Sequence, residues 1–499
     1  MLLGYDIGSS SVKACLLDPQ TGRVVAEAFA PDAEQEIRAR RPAWAEQDPE
    51  DWWINLKKAT CRLKSKAGKF MDSVKAIGLS YQMHGLVLVG HDHRPLRPAI
   101  IWCDSRAVEI GSRAFSEIGP HCCLDRLLNS PGNFTASKLK WVMDNEPDIY
   151  NQTYKAMLPG DYIALRMTGE DHTTPSGLSE WILWDYQEQR PSRLLLDHYG
   201  IKEDLIPKAV EPFSFQGRIT EAAAGELGLP SGISLTYRAG DQPNNAFSLG
   251  VLQPGECAAT AGTSGVIYGI EDTPDCDPKS RVNVFLHVNH QADAPRYGVL
   301  LCINGCGIAN HWLKNHLSGE SLSYDKLNAL AAQVPPGADG LSILPFGNGA
   351  ERILDNTEGA AIHGLNFNIH STAHLARAVQ EGIVFSMRYG VEILKKIGID
   401  PVVIKAGDAN LFKSPLFRET FAACTGCPLE ILSTDGAQGA ARGAGIASGA
   451  YKGFADAFGS LKAPITCVPD AILAEQLRPA YAGWVDILEN KKGGIYEST

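Results

Sequence analysis

Two carboxylates carry the chemistry this sequence suggests. Asp6 closes a short apolar run and stands directly before the turn Ile7-Gly8-Ser9-Ser10-Ser11. Asp241 lies in Tyr237-Arg-Ala-Gly-Asp241-Gln-Pro-Asn-Asn245, behind small and apolar residues. A Gly/Ser turn can offer several backbone N–H groups and hydroxyls to a phosphate without bulky side chains in the way. A carboxylate beside such a turn can hold Mg2+, which takes one or two carboxylates together with phosphate oxygens. A simple turn cap is the other role open to Asp6. At Asp241 a carboxylate can accept a proton from a substrate hydroxyl, a modest service that phosphoryl transfer needs besides positioning and charge neutralisation.

The elements around these residues strengthen the reading. LLGYD and VKACLLD flank the first turn, and their apolar, β-branched content predicts an antiparallel hairpin over Leu2 to Asp18. A second hairpin of the same design is expected from Cys257 to Ile270, around Thr260-Ala-Gly262-Thr263-Ser264-Gly265. A single Gly/Ser turn is usually only a turn. Two in matching positions imply a nucleotide held between two similar halves. The commoner nucleotide motifs are missing: Gly68-Lys69 is followed by Phe70 rather than Ser or Thr, and Gly443-Ala-Gly445 with Gly449 has the wrong spacing for a dinucleotide loop. The latter sits in an alanine-rich stretch, Gln438 to Tyr451, expected to be a closely packed buried helix.

A chain of 499 residues is too long for one ordinary core, so two domains are expected. The least periodic stretch, near 240–255, places the division at 1–245 and 246–499. Strand-like runs (Val74 to Leu79, Leu86 to Val89, Val402 to Lys405) alternate with helical ones (Asp51 to Arg62, Ser371 to Lys396), which defines an α/β chain. The last forty or so residues read as polar and mixed, wrapping over the surface. The formal net charge of −11 and the lack of any basic block argue against a nucleic-acid partner. No secretory signal pattern and no apolar run of membrane length is found, so the cytosol is the expected compartment. The twelve cysteines, including Cys302/Cys306 and Cys424/Cys427, lack the partner spacing of a metal site and read as reduced thiols. His91-Asp92-His93 reads as a hairpin tip.

DIGSSSVKA at 6–14, YQMHG at 81–85, IIWCDSR at 100–106, GDQPNNA at 240–246 and TAGTSG at 260–265 follow one another in this order. Together they resemble the FGGY carbohydrate kinases, above all the D-xylulose-phosphorylating branch. LPGDYIALRMTGE at 158–170 and LPFGNGAERILDNTEGAAIHGL at 344–365 extend the resemblance over nearly the whole chain. It implies two actin-like (ribonuclease-H-like) ATPase domains with a cleft between them, the sugar mainly on the first half and ATP mainly on the second. It implies Asp241 as catalytic base for the sugar 5-hydroxyl and Asp6, with Asp241, as the Mg2+ side. Met83 and His84 are implied as sugar contacts, with Trp102 and Asp104 as further sugar-side residues. Gly8, Ser9, Ser10, Ser11 and Lys13, with Gly262 and Thr263, would face the phosphates. Gly307, Gly407 and Asn410 would serve the nucleotide.

The chain departs from the family at Lys405-Ala-Gly407-Asp408-Ala-Asn410, where many members carry a glycine-rich loop. Asp408 and Asn410 could bond ribose or purine, or cap the following helix. Kinases of ribulose, gluconate, glycerol or fucose are the alternatives within the family. An actin- or chaperone-type ATP machine is the alternative outside it, and leaves QMHG and GDQPNN unexplained. The resemblance also implies a homodimer.

Overall fold

The computed structural model describes residues 1–317, 322–347 and 359–493. Of the motif at 344–365, residues 348–358 lie outside the described residues. Two mixed sheets dominate. In the first, Ser234–Gly240, Ala76–Tyr81 and Leu2–Ile7 run parallel, and Val12–Leu17 and Val24–Ala30 continue antiparallel from Leu2–Ile7. The second sheet repeats this pattern with Leu429–Leu432, Val403–Gly407, Glu256–Ala261, Gly265–Glu271 and Tyr297–Ile303. It adds Asn283–Leu286 at one edge and Ile465–Cys467 at the other. Both expected hairpins are therefore the first two strands of equivalent sheets.

Each sheet's last parallel strand leads to a helix, Asp241–Ser248 in the first half and Gly436–Ala447 in the second. These two helices pack on one another, and Gly436–Ala447 also lies across the first sheet. Small residues make this approach possible. A Cβ at Gly4 would sit 1.9 Å from the Ala437 carbonyl oxygen, and one at Gly78 would sit 2.0 Å from that of Ala440. Polar ties fix the docked helix: Asn244 Nδ2 donates to Gly436 O at 2.9 Å and Thr236 Oγ1 to Ala444 O at 3.1 Å. The alanine/glycine stretch is thus a buried, closely packed helix as expected, but its platform belongs to the other half of the chain.

Local signals set the helices. Pro49–Ala67 starts with Asp48 accepting from Glu50 N, carries Pro49 in its first turn and stops at Gly68, where φ is +57°. Its Trp52, Leu56, Ala59 and Leu63 recur at helical spacing and are buried. The chain's last segment corrects the expectation of a polar surface wrap. Ala471–Gly493 is a helix that buries Leu477, Tyr481, Trp484 and Leu488. Their 4-3-4 spacing makes one apolar stripe, and Trp484 Nε1 donates to Ile343 O at 2.9 Å. His91 and His93 lie within a turn closed by Gly90 N to Arg94 O, with both rings against Tyr154. All twelve cysteines are free thiols. No helix among the described residues is long and apolar enough to cross a membrane.

Candidate active site

The parallel register of the first sheet assembles the site. Asp6 pairs with Ser80 and Ile7 with Tyr81, while Gly240 pairs with Tyr81 from the other side. Three strands therefore end at one edge, and the residues just beyond them, Gly8, Gln82 and Asp241, emerge together. Ligands of parallel sheets gather at such carboxyl ends.

Asp6 is partly buried and accepts from Ser80 Oγ at 2.9 Å. Burial raises its pKa, while Lys13, opposite it across the hairpin, and the Ser80 hydroxyl work against the rise. Gly436, at the start of the bridging helix, comes so close that a Cβ there would lie 2.7 Å from Asp6 Oδ2. Asp241 opens its own helix. Burial first, and then the charge of Asp6, push its carboxyl up to about 7, and hydrogen bonds from Gln242 oppose this. A carboxyl in that range can exchange a proton near neutral pH.

The first turn is held from outside. Gly8 N donates to Ser11 O, and Gln35 and Gln47 engage the carbonyls of Gly8, Ser9 and Ser10. Met83 is buried against Gly240, whose missing Cβ would lie 2.7 Å from Met83 Cγ. His84 takes the left-handed conformation, φ +59°, with Nδ1 3.1 Å from Glu180 O. A carbonyl only accepts, so Nδ1 carries the proton. Phe134 and, from the second half, Phe285 pack on the imidazole. Trp102 is half exposed, and its indole N–H points to Ser9 Oγ at 3.4 Å.

Asp104 departs from its expected role. It is fully buried, and its oxygens accept from Ala45 N at 2.6 Å and from Arg106 N, Nε and Nη2. Arg106 itself lies over the rings of Trp44 and Trp141, which meet edge to face, and is bonded to Glu46. With its lone pairs committed in this way, Asp104 pins the loop that carries Trp102 rather than facing a sugar.

On the second half, a cavity of about 920 Å³ is lined by Gly262, Thr263, Gly307 and Asn410, among others, with Glu34 reaching it from the first half. Gly307 N donates to Gly262 O at 2.7 Å and Ile308 N to Thr263 O at 3.3 Å. Asn410 has φ +52°, and its amide lies 3.2 Å from where a Cβ on Gly262 would be. Gly407 is not in the lining; it ends its strand beside Thr434 O. Asp408 pairs with Arg418 at 2.7 Å, and Ser414 caps the helix Pro415–Thr425. The cavity is also not lined by Asp6, Gly8 to Ser11, Lys13 or Asp241.

Sequence reasoning missed two buried groups, one beside Gly240 and one beside His84. Glu180 lies against Gly240, receives the Tyr81 hydroxyl at 3.4 Å and is pushed well above the usual carboxylate range by burial and by Asp241. Lys138 donates to the carbonyls of His84 and Ile101. Neither belongs to a recognisable motif, and the burial of a charge is decided by tertiary packing rather than by its neighbours along the chain, so no sequence signal marks them.

Two equivalent ribonuclease-H-like halves, paired carboxylates at a strand edge and a nucleotide-sized cavity define an ATP-dependent phosphotransferase of actin-like, two-domain build. The chain belongs to the FGGY family of carbohydrate kinases: residues 1–248 match the family's N-terminal domain and residues 257–450 its C-terminal domain. It is 30% identical over 477 residues to a xylulose kinase of Escherichia coli, covering 94% of this chain and 95% of that one. A xylulose kinase of Bacillus subtilis is 31% identical over 416 residues, 82% of this chain and 81% of the other. The crystal structure of xylulose kinase from Rhodospirillum rubrum superposes with a TM-score of 0.86 at 27% identity, over 98% of both chains.

Proposed function

We propose that this carbohydrate kinase transfers the γ-phosphoryl group of ATP to the 5-hydroxyl of D-xylulose. The sugar is suggested by the relatives named above, and the chemistry by one observation: Asp241, raised to about 7, opens a helix beside Met83 and within the field of Asp6. Asp241 takes the hydroxyl proton as the sugar oxygen bonds to the γ-phosphorus, and the bond from that phosphorus to the β,γ-bridging oxygen breaks, leaving ADP. Met83, His84 and Trp102 form the sugar side. Gly8 to Ser11, Lys13, Gly262 and Thr263 serve the phosphates, and Gly307 and Asn410 the nucleotide side, with Gly407 behind the cavity lining at the end of its strand.

Mg2+ fits Asp6 and Asp241. Among the described residues no group of three or more His, Cys, Asp or Glu forms a metal cluster, and two hard oxygen ligands in each other's field suit an ion that completes its shell with phosphate and water. When bound, Mg2+ neutralises charge developing on the phosphates. The halves divide near residues 245 and 246, with sugar on 1–245 and ATP on 246–499. The enzyme acts in the cytosol as a homodimer.

A panel of ketoses, polyols and sugar acids in a coupled ADP-release assay tests the substrate. D-xylulose is expected to give the highest kcat/KM; a preference for ribulose, glycerol or gluconate overturns the assignment.

A further inference from the structure

Lys138 is the fourth residue of the helix Thr135–Asn145 and has no exposed surface. Its ammonium does not pair with a carboxylate. Asp104, whose charge it feels, is bonded instead to Arg106 and Ala45. Nζ donates to two main-chain oxygens, that of His84 at 2.8 Å and that of Ile101 at 3.0 Å. Burial pulls this ammonium down to about 8. A desolvated charge spent on two carbonyls is an expensive way to satisfy them, since neutral donors would serve.

What distinguishes those carbonyls is where they lie. Gln82 to Gly85 leaves the strand Ala76–Tyr81 with the sugar-side Met83 and His84, and Ile101 opens the segment carrying Trp102. The two segments meet through Leu86 and Ile100, which exchange backbone hydrogen bonds of 2.8 and 3.1 Å. Beyond that bridge Lys138 joins them again, through the carbonyls of His84 and Ile101. His84 is also left-handed, a backbone conformation uncommon for non-glycine residues and costly enough that surrounding contacts help to hold it. Glu180 O and Phe285 hold the ring from other elements, and one helical turn supplies two further contacts: Phe134 packs edge-on against the imidazole at 4.8 Å, and Lys138, four residues on, holds the carbonyl.

We propose that Lys138 is a positioning residue for the sugar: its ammonium ties the His84 and Ile101 carbonyls together, fixing the two sugar-side segments relative to each other and holding His84 left-handed. The proposal rests on the assignment of Met83, His84 and Trp102 to the sugar side. It places Lys138 behind the pocket, acting through His84 and Trp102, and it assigns no role toward ATP.

Lys138→Met keeps the unbranched stem and removes the donors. The sugar KM is expected to rise by about tenfold or more, with the ATP KM within about twofold of wild type and kcat at saturating sugar little changed. Val142→Ala, a buried substitution on the same helix without contact to either carbonyl, is the stability control. A wild-type sugar KM in Lys138→Met overturns the proposal, as does an equal rise in Val142→Ala at matched loss of Tm. Should Lys138→Met not fold, hydrogen exchange of the wild-type enzyme decides. Segments 82–86 and 101–106 should gain protection at the same sugar concentration, and protection of one without the other overturns the tie. The sugar used is whichever one the panel identifies, so failure of D-xylulose as substrate and failure of the Lys138 role are separate results.

Discussion

Asp6 and Asp241 leave the same edge of the first sheet, from strands separated by only Ala76–Tyr81, and the charge of one raises the pKa of the other. This relationship suits Asp241 to the proposed role of proton acceptor, since a carboxyl near 7 matches neutral pH more closely than an ordinary one. Asp241→Ala should lower kcat by about a thousandfold while ATP affinity, measured by calorimetric titration, changes by only a few fold. Near-normal turnover in this variant would remove Asp241 as the base.

The same carboxyl sets a pH dependence. As the proposed base, Asp241 must be deprotonated, so kcat/KM should fall by about tenfold per unit as pH drops below the apparent pKa of this carboxyl, which burial and Asp6 raise and bound Mg2+ lowers. Stability has the opposite sense. A carboxyl raised in the folded state contributes stability below its unfolded pKa, and that contribution is lost as pH rises through about 7. Asp241→Asn, measured with a chelator present, should therefore melt higher than wild type at pH 8 and lose this advantage near pH 4.

Gly307 is expected to matter for the nucleotide alone. A Cβ there would lie 2.2 Å from Gly262 O, breaking the 2.7 Å hydrogen bond that joins the second turn to its neighbouring helix. Loss of about 1–1.5 kcal/mol corresponds to roughly tenfold. Gly307→Ala should thus raise the ATP KM by about tenfold and leave the sugar KM near wild type; steady-state kinetics with each substrate varied in turn would show it.

Gly78→Ala probes the joint between the halves. The added methyl meets Ala440 O, a backbone atom that can yield only if the whole bridging helix shifts. Overpacking of this kind costs about 1–3 kcal/mol. A clear drop in the urea midpoint is expected, whereas Gly453→Ala, where a Cβ meets nothing within 4 Å, should not reproduce it.

Asp104→Asn should cost stability above all. Breaking one partner of a buried ion pair is worth about 3–5 kcal/mol, because Arg106 keeps its charge among Trp44, Trp141 and Glu46. Denaturant unfolding measures this directly. A variant as stable as wild type, with a raised sugar KM, would return Asp104 to the sugar side.

Much of this was legible in the chain. Apolar alternation around Gly8 to Ser11 and around Gly262 to Gly265 predicts both hairpins, because pleat, turn and burial are written within a dozen residues. The order of short motifs identifies the family and singles out Asp6 and Asp241. The long pattern from Ser371 to Lys396 is a helix, Thr372–Lys396, as its periodicity requires.

Returning to that pair, the sequence by itself determined the two turns, the strands behind them and the residues beyond those strands, since each depends on neighbours along the chain. Only the tertiary structure decided that Asp6 and Asp241 share an edge, that Gly436–Ala447 docks on the opposite half, that Arg106 consumes Asp104, and that Lys138 stands behind His84. The reason is physical. A buried charge or carbonyl must find its partner wherever packing brings one, and the partners named here are 2 to 208 residues away.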